Sequence, residues 1–186
     1  MAKPILSQQD FVDAAAAIGC EVAAIKAVAE VESRQSGFYS NGDPVILFER
    51  HIFSKRTNRA FDKTHPNISN PVAGGYGATE TQHARLNEAI KLNREAALMS
   101  ASWGKFQIMG FNYALAGFNT LQDFINAMYN SERNQLLAFV NYVKHSSLDD
   151  ELRSKDWVNF ARRYNGPDYK KNNYDTKLAA AYNKYK

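Results

Sequence analysis

The chain has 186 residues, 45% of them hydrophobic, with a formal net charge of +4 and a sequence pI near 9.1. That length supports one domain with a sizeable core and is short for two large ones. The positive excess is modest and contains no block of five like charges, so charge alone does not select among anionic partners such as nucleic acid or a bacterial envelope.

In chain order, Ser7 with Asp10 resembles a capping box opening a helix to about Ile18, with Gly19 as its stop. Cys20, the sole cysteine, is most simply a small buried residue between two helices. No intrachain disulfide can form, and no Cys/His cluster has zinc spacing, so neither metal nor cofactor is expected.

The next segment, Val22 to Arg34, reads as one amphipathic helix. Val22, Ile25, Val28 and Ala29 form its apolar stripe, and Glu32 continues that stripe, seven residues after Ile25 and four after Val28. Glu30 stands four residues from both Lys26 and Arg34, the spacing of ion pairs on a solvated face. Positions two apart on a helix diverge by about 200°, so the two glutamates have different surroundings. An apolar setting and the negative end of the helix both raise a carboxyl pKa, which suits Glu32 to a general acid. The plainer reading is a glutamate at the rim of the core with its head in water.

Gly37 is a plausible helix stop. Asn41-Gly42 between Phe38-Tyr39 and Val45–Phe48 signals a small β-hairpin, whose second strand ends at Glu49. A hairpin folds back on its start, so Glu49 can return to the neighbourhood of Glu32. Two carboxyls facing each other across a groove are the minimal equipment for breaking a glycosidic bond. His51 lies two residues on, and for it a structural or solvent-facing role is favoured over a part in the site.

Residues 57–78 read as a long polar loop, of the kind that is functional or mobile. Its Gly74-Gly75-Tyr76-Gly77 stretch lacks the Gly-Lys-Ser/Thr ending of a phosphate loop. Tyr76 suits either a stacking platform or lid over a ligand, or a plain turn. Thr79 with Gln82 then caps a long helix to about Met99. A compact buried helix is expected over Trp103–Met109, followed by helices near 111–116, 121–129, 132–145, 148–153, 156–164 and 175–185. Trp103, Phe106, Phe111, Phe118, Phe124, Phe139, Trp157 and Phe160 recur at helical spacings and read as mostly core. Basic residues do not interleave with them, which argues against a nucleic-acid surface. Gln107, Tyr164 and Asn165 stand out as polar groups inside apolar helices or at a helix end; ordinary capping and side-chain hydrogen bonding would account for them.

Four segments together resemble a known family. Val31-Glu32-Ser33, Ile46-Leu47-Phe48-Glu49, Trp103-Gly104-Lys105-Phe106-Gln107-Ile108-Met109 and Tyr164-Asn165-Gly166 occur in the order and spacing of the phage and prophage N-acetylmuramidases. The resemblance runs from about Phe11 to Pro167. It implies a mainly α, lysozyme-like fold of α+β type, with one small β-hairpin after the catalytic helix. It also implies peptidoglycan as substrate, no metal, and catalysis by the two glutamates that match Glu32 and Glu49. Gln107, Tyr164 and Asn165 would then lie along the sugar groove.

Two other functions compete with this one. A lytic transglycosylase shares the Glu-Ser, Gln-Met and Tyr-Asn-Gly elements but works with one glutamate and yields 1,6-anhydro ends; Glu49 favours a hydrolase. A non-enzymatic basic protein that binds peptidoglycan or nucleic acid leaves the inward Glu32 without a purpose. The chain shows no secretory signal, no stretch approaching a membrane span, no repeats and no linker. One catalytic domain over residues 1–186 is therefore expected, monomeric and without a wall-binding module. It would be made in the host bacterial cytoplasm and released to the wall by a separate system such as a holin.

Overall fold

A computed structural model describes residues 3–32 and 36–186. The first helix, α1 (Gln8–Ile18), opens on the expected reciprocal cap. The Asp10 amide donates to Ser7 Oγ, and the Ser7 amide donates to the Asp10 carboxylate. Gly19 ends the helix.

The second, α2 (Val22–Glu32), is buried more widely than a single stripe allows. Ile25, Val28 and Ala29 enter the main core. Ala23, Ala24 and Ala27 pack on the opposite side against Ala181 and Tyr182 of a helix near the C-terminus. Alanine's short side chain lets that helix come close. Glu30 accordingly meets Lys184 Nζ at 2.7 Å and accepts a hydrogen bond from the Tyr185 hydroxyl. Lys26 lies over the rings of Phe11 and Tyr185. Arg34, the other ion-pair partner expected for Glu30, and Ser33 of the Glu-Ser motif lie outside the described residues.

The Asn41-Gly42 hairpin exists but is narrow. Phe38 bridges Pro44, the Tyr39 amide donates to Asp43 O at 2.8 Å, and Gly42 takes a left-handed φ of 86°. Beyond it the chain leaves the hairpin. Strand β1 (Ile46–Phe48) pairs antiparallel with β2 (Ala101–Trp103), which pairs with β3 (Ile108–Met109). The register sets Leu47 opposite Ser102 and Trp103 opposite Ile108. Trp103–Met109 is therefore not the compact helix that its spacing suggests. Gly104 at φ 70° and Gln107 at φ 47° reverse the chain between β2 and β3. A β-carbon on Gly104 would also sit 2.6 Å from the Gln135 side chain.

Three further segments differ from expectation. A helix that the sequence did not signal, α3 (Arg50–Arg56), precedes the polar loop, whose residues 57–78 form tethered turns. Phe61 stacks on Phe53, Ile68 is buried, and the Asp62 carboxylate accepts from the hydroxyls of Ser54 and Ser69. The long helix toward Met99 is two helices, α4 (Gln82–Leu92) and α5 (Arg94–Met99). Asn93 separates them with extended backbone, and its side-chain oxygen caps α5 by accepting from the Ala96 amide at 2.9 Å. Gln82 is no cap partner of Thr79. It is buried, accepts from the Phe48 amide at 3.0 Å and donates to Tyr76 O at 2.6 Å. The helix near 111–116 is a single 3₁₀ turn over Gly110–Asn112. Phe111 lies exposed there, with the Arg56 guanidinium 4.9 Å from its ring centroid.

The later helices follow the sequence reading closely: α6 (Leu121–Asn130), α7 (Glu132–His145), α8 (Asp149–Ser154), α9 (Trp157–Tyr164) and α10 (Tyr174–Tyr185). Trp103, Phe106, Phe124, Phe139 and Phe160 are buried in the core, while Phe118 and Trp157 pack partly buried against it.

A buried polar hub on α7 ties the elements around the site. Glu132 accepts from the amides of Leu6 at 3.1 Å and Gly37 at 2.7 Å, and from the Ser36 hydroxyl at 3.2 Å. Lys105 Nζ stands 3.5 Å from the same carboxylate. One turn on, Gln135 accepts from the Lys105 amide at 2.7 Å and donates to Met128 O at 2.9 Å. Both side chains are almost fully buried, and their partners satisfy them, as an interior of low dielectric requires. The stretch after α2 and the β2–β3 turn are thereby fixed to one support.

Candidate active site

Glu32 ends the described part of α2 and is half-buried. Burial raises its carboxyl pKa from 4.5 to about 7, and a hydrogen bond from Asn165 opposes that rise. Asn165 Nδ2 donates to Glu32 Oε1 at 2.8 Å. With an N–H on Oε1, a carboxyl proton fits on Oε2, for which no hydrogen-bond partner is seen among the described residues. Asn165 sits where α9 ends, held by its amide donating to Ala161 O at 2.9 Å. Its own Oδ1 is buried and without a hydrogen-bond partner.

Tyr164 packs its ring against Phe160, Tyr142 and Phe139, and its hydroxyl donates to Phe106 O at 2.6 Å. Burial and the nearby Glu32 carboxylate hold its phenol well above the usual tyrosine range. Tyr164 therefore anchors the end of α9 to the turn after β2 and stays a neutral donor beside Glu32. The Tyr-Asn-Gly element is thus one device: the tyrosine docks the helix end and the asparagine grips the carboxyl.

Glu49 occupies the cap position before α3, with extended backbone and no capping hydrogen bond from its side chain. Its amide donates to Ser100 O at 2.9 Å, which pins it to the end of α5. Burial raises its carboxyl pKa, and His51 opposes the rise, with Nε2 3.5 Å from Oε2. Tyr76 feels its charge. Burial first, then the negative charges of Glu49 and Asp168, push the Tyr76 phenol up. Tyr76 thus lies within electrostatic reach both of the α3 end and of the segment that follows Asn165. Its loop is tied down by Gln82 at Tyr76 O and by Arg85 Nη1, which donates to Gly75 O at 3.0 Å.

Gln107 has both ends of its amide engaged. Oε1 accepts from the Ser102 hydroxyl at 2.7 Å, and Nε2 donates to Gly104 O at 2.8 Å and Val45 O at 3.4 Å. It locks the β2–β3 turn onto the chain entering β1. Of the residues singled out in the sequence, Glu32 and Asn165 come together directly and Tyr164 lies within electrostatic reach of Glu32, whereas Gln107 serves as a brace. Among the described residues no group of three His, Cys, Asp or Glu side chains is placed to hold a metal ion, and no helix is long and apolar enough to cross a membrane. Cys20 is largely buried, and burial pushes its thiol up to about 11.

Sequence reasoning missed Asn172, Tyr174 and Lys177, which line a cleft beside Glu32. The lysine excess at the C-terminal end was its visible signal.

Removing the Asn165 amide tests the grip on Glu32. That hydrogen bond favours the ionised carboxyl, so Asn165→Ala should raise the Glu32 pKa further and move the alkaline limb of the activity–pH profile to higher pH. The maximal rate should fall roughly tenfold, the scale of one hydrogen bond to a charged group. A profile that keeps its alkaline limb would show that Asn165 does not act on Glu32.

A helical body with a small antiparallel sheet, its half-buried Glu32 carboxyl lining a cleft, is the architecture of a glycoside hydrolase of the lysozyme type, as the comparisons show. The family model described as N-acetylmuramidase matches residues 21–186, and the chain belongs to that family. Among solved structures, a Burkholderia AP3 phage endolysin is similar with a TM-score of 0.89 at 40% identity, over 97% of this chain and 70% of that one. No curated protein matches. The protein is a peptidoglycan hydrolase.

Proposed function

We propose that the enzyme hydrolyses the β-1,4 bond between N-acetylmuramic acid and N-acetylglucosamine. Glu32 is the general acid that protonates the leaving oxygen from Oε2. Glu49 is the second carboxylate and activates water or stabilises the oxocarbenium-like transition state. Tyr164 and Asn165 flank the sugar beside Glu32, and Gln107 shapes the groove through the β2–β3 turn. The observation that carries this reading is the Glu32 carboxyl itself. A pKa of about 7 keeps a proton available near neutral pH, and the Asn165 contact to Oε1 supports Oε2 as its site.

Similarity to a phage endolysin supports a role in bacterial lysis, the enzyme waiting in the host cytoplasm until a separate system such as a holin admits it to the wall. The test is the chemistry of the ends. Purified sacculi digested by the enzyme should release fragments with ordinary reducing ends, one water heavier by mass spectrometry than 1,6-anhydro fragments. Anhydro ends would replace this reading with a lytic transglycosylase, and absence of fragments would leave a binding protein.

A further inference from the structure

Beside Glu32 the surface opens into a cleft of about 860 Å³. The end of α2 forms one side, with Glu30 and Glu32. The other is formed by α10 and the residue before its cap, contributing Asn172, Tyr174, Lys177 and Lys184. This face is basic: residues 165–186 hold five lysines against two aspartates. Two of those cations are already matched. Lys184 meets Glu30 at 2.7 Å, and Lys171 meets Asp168 at 2.8 Å. Lys177 is not matched in this way. Its ammonium lies 5.8 Å from the centroid of the half-buried Tyr174 ring, and no carboxylate pairs with it among the described residues.

An unpaired cation beside an aromatic face has no use for an uncharged sugar chain, but it suits an anionic, partly apolar one. Peptidoglycan supplies such a chain at one place. Every peptide stem hangs from the lactyl group of a muramic acid, the sugar whose bond is broken, so the stem must leave the glycan groove next to the general acid. Stems carry free carboxylates and amides. Glu30, the fixed anion of the cleft, is offset by Lys184, so it does not oppose them.

We propose that this cleft is a subsite for the acidic peptide stem, with Lys177 pairing a stem carboxylate and Tyr174 flanking the chain. It rests on Glu32 being the point of cleavage. The enzyme therefore prefers glycan that still bears its peptides.

The experiment compares kcat/KM on soluble peptidoglycan strands with kcat/KM on the same strands stripped of stems by an amidase. The wild type should favour the stem-bearing strands. Lys177→Glu should lower that preference by about fivefold, the scale of a solvated charge contact reversed in sign. Lys177→Arg should keep it. Lys91→Glu, at an exposed position of α4 outside the cleft, makes the same change of net charge and should leave the preference intact. A wild-type ratio near one would overturn the proposal, as would a Lys177→Glu variant that loses both activities in equal proportion. Failure of the wild type to cleave either polymer would instead overturn the muramidase reading, and the subsite with it.

Discussion

Glu32→Gln should abolish lysis of cells stripped of their outer membrane while leaving the fold in place. The replacement keeps the size and the acceptor that Asn165 grips, and it removes the proton. Loss of an essential general acid costs roughly 10²–10⁴-fold in rate. The same variant should show the strain that the native carboxyl imposes. Burial raises the folded-state pKa from 4.5 to about 7, so folding disfavours only the ionised form. That penalty is absent below the ordinary carboxyl range and complete once pH has passed the folded value. Glutamine never ionises, so the melting temperature of the variant should gain on the wild type as pH rises from about 4 to about 8. A folded Glu32→Gln enzyme with near-native lysis would end the assignment. A Tm difference independent of pH would show that the carboxyl is not penalised on folding.

Glu49→Gln should be nearly as damaging, with a loss again on the order of 10²-fold or more if the carboxylate activates the water. The backbone of Glu49 is fixed by its amide bond to Ser100, and its side chain caps nothing, so the substitution should leave α3 undisturbed. Circular dichroism and turbidity assays on one preparation separate the two effects. A Glu49→Gln enzyme that retains most of its activity and releases 1,6-anhydro ends would hand the chemistry to Glu32 alone.

What the sequence disclosed, and what it hid, follows the range over which each signal acts. The Ser7–Asp10 cap and the Gly19 stop are contacts within a turn, and they were legible. The inward place of Glu32 was legible too, since it needs only helical spacing against Ile25 and Val28. The sheet was not. Strands of two or three residues carry too little alternation to reveal themselves, and the partner of Leu47 is Ser102, far along the chain. The spacing of Trp103, Phe106 and Met109 imitates a helix although Gly104 and Gln107 turn the chain back. Asn93 broke a helix that periodicity alone would continue, through a cap written in one residue. The second buried face of α2 was hidden because alanines at 23, 24 and 27 look like filler until α10 is laid on them. In the site, Asn165 stood out as a polar group at a helix end and the family resemblance gave it a place along the groove, while Tyr174 and Lys177 had no motif to mark them.

Both catalytic candidates are encoded in the first 49 residues, yet what equips them arrives much later. Glu49 is pinned by Ser100, and Glu32 is gripped by Asn165, a partner 133 residues away. Closing loops of that length is entropically uphill until the contacts at their ends form. A chain leaving the ribosome thus displays two ordinary carboxylates, both ionised at neutral pH, for most of its synthesis. The burial that raises the Glu32 pKa is completed only as the later helices pack around α2, so on the proposed mechanism an unfinished copy cannot attack a wall, and the time of activation is written into the order of the chain.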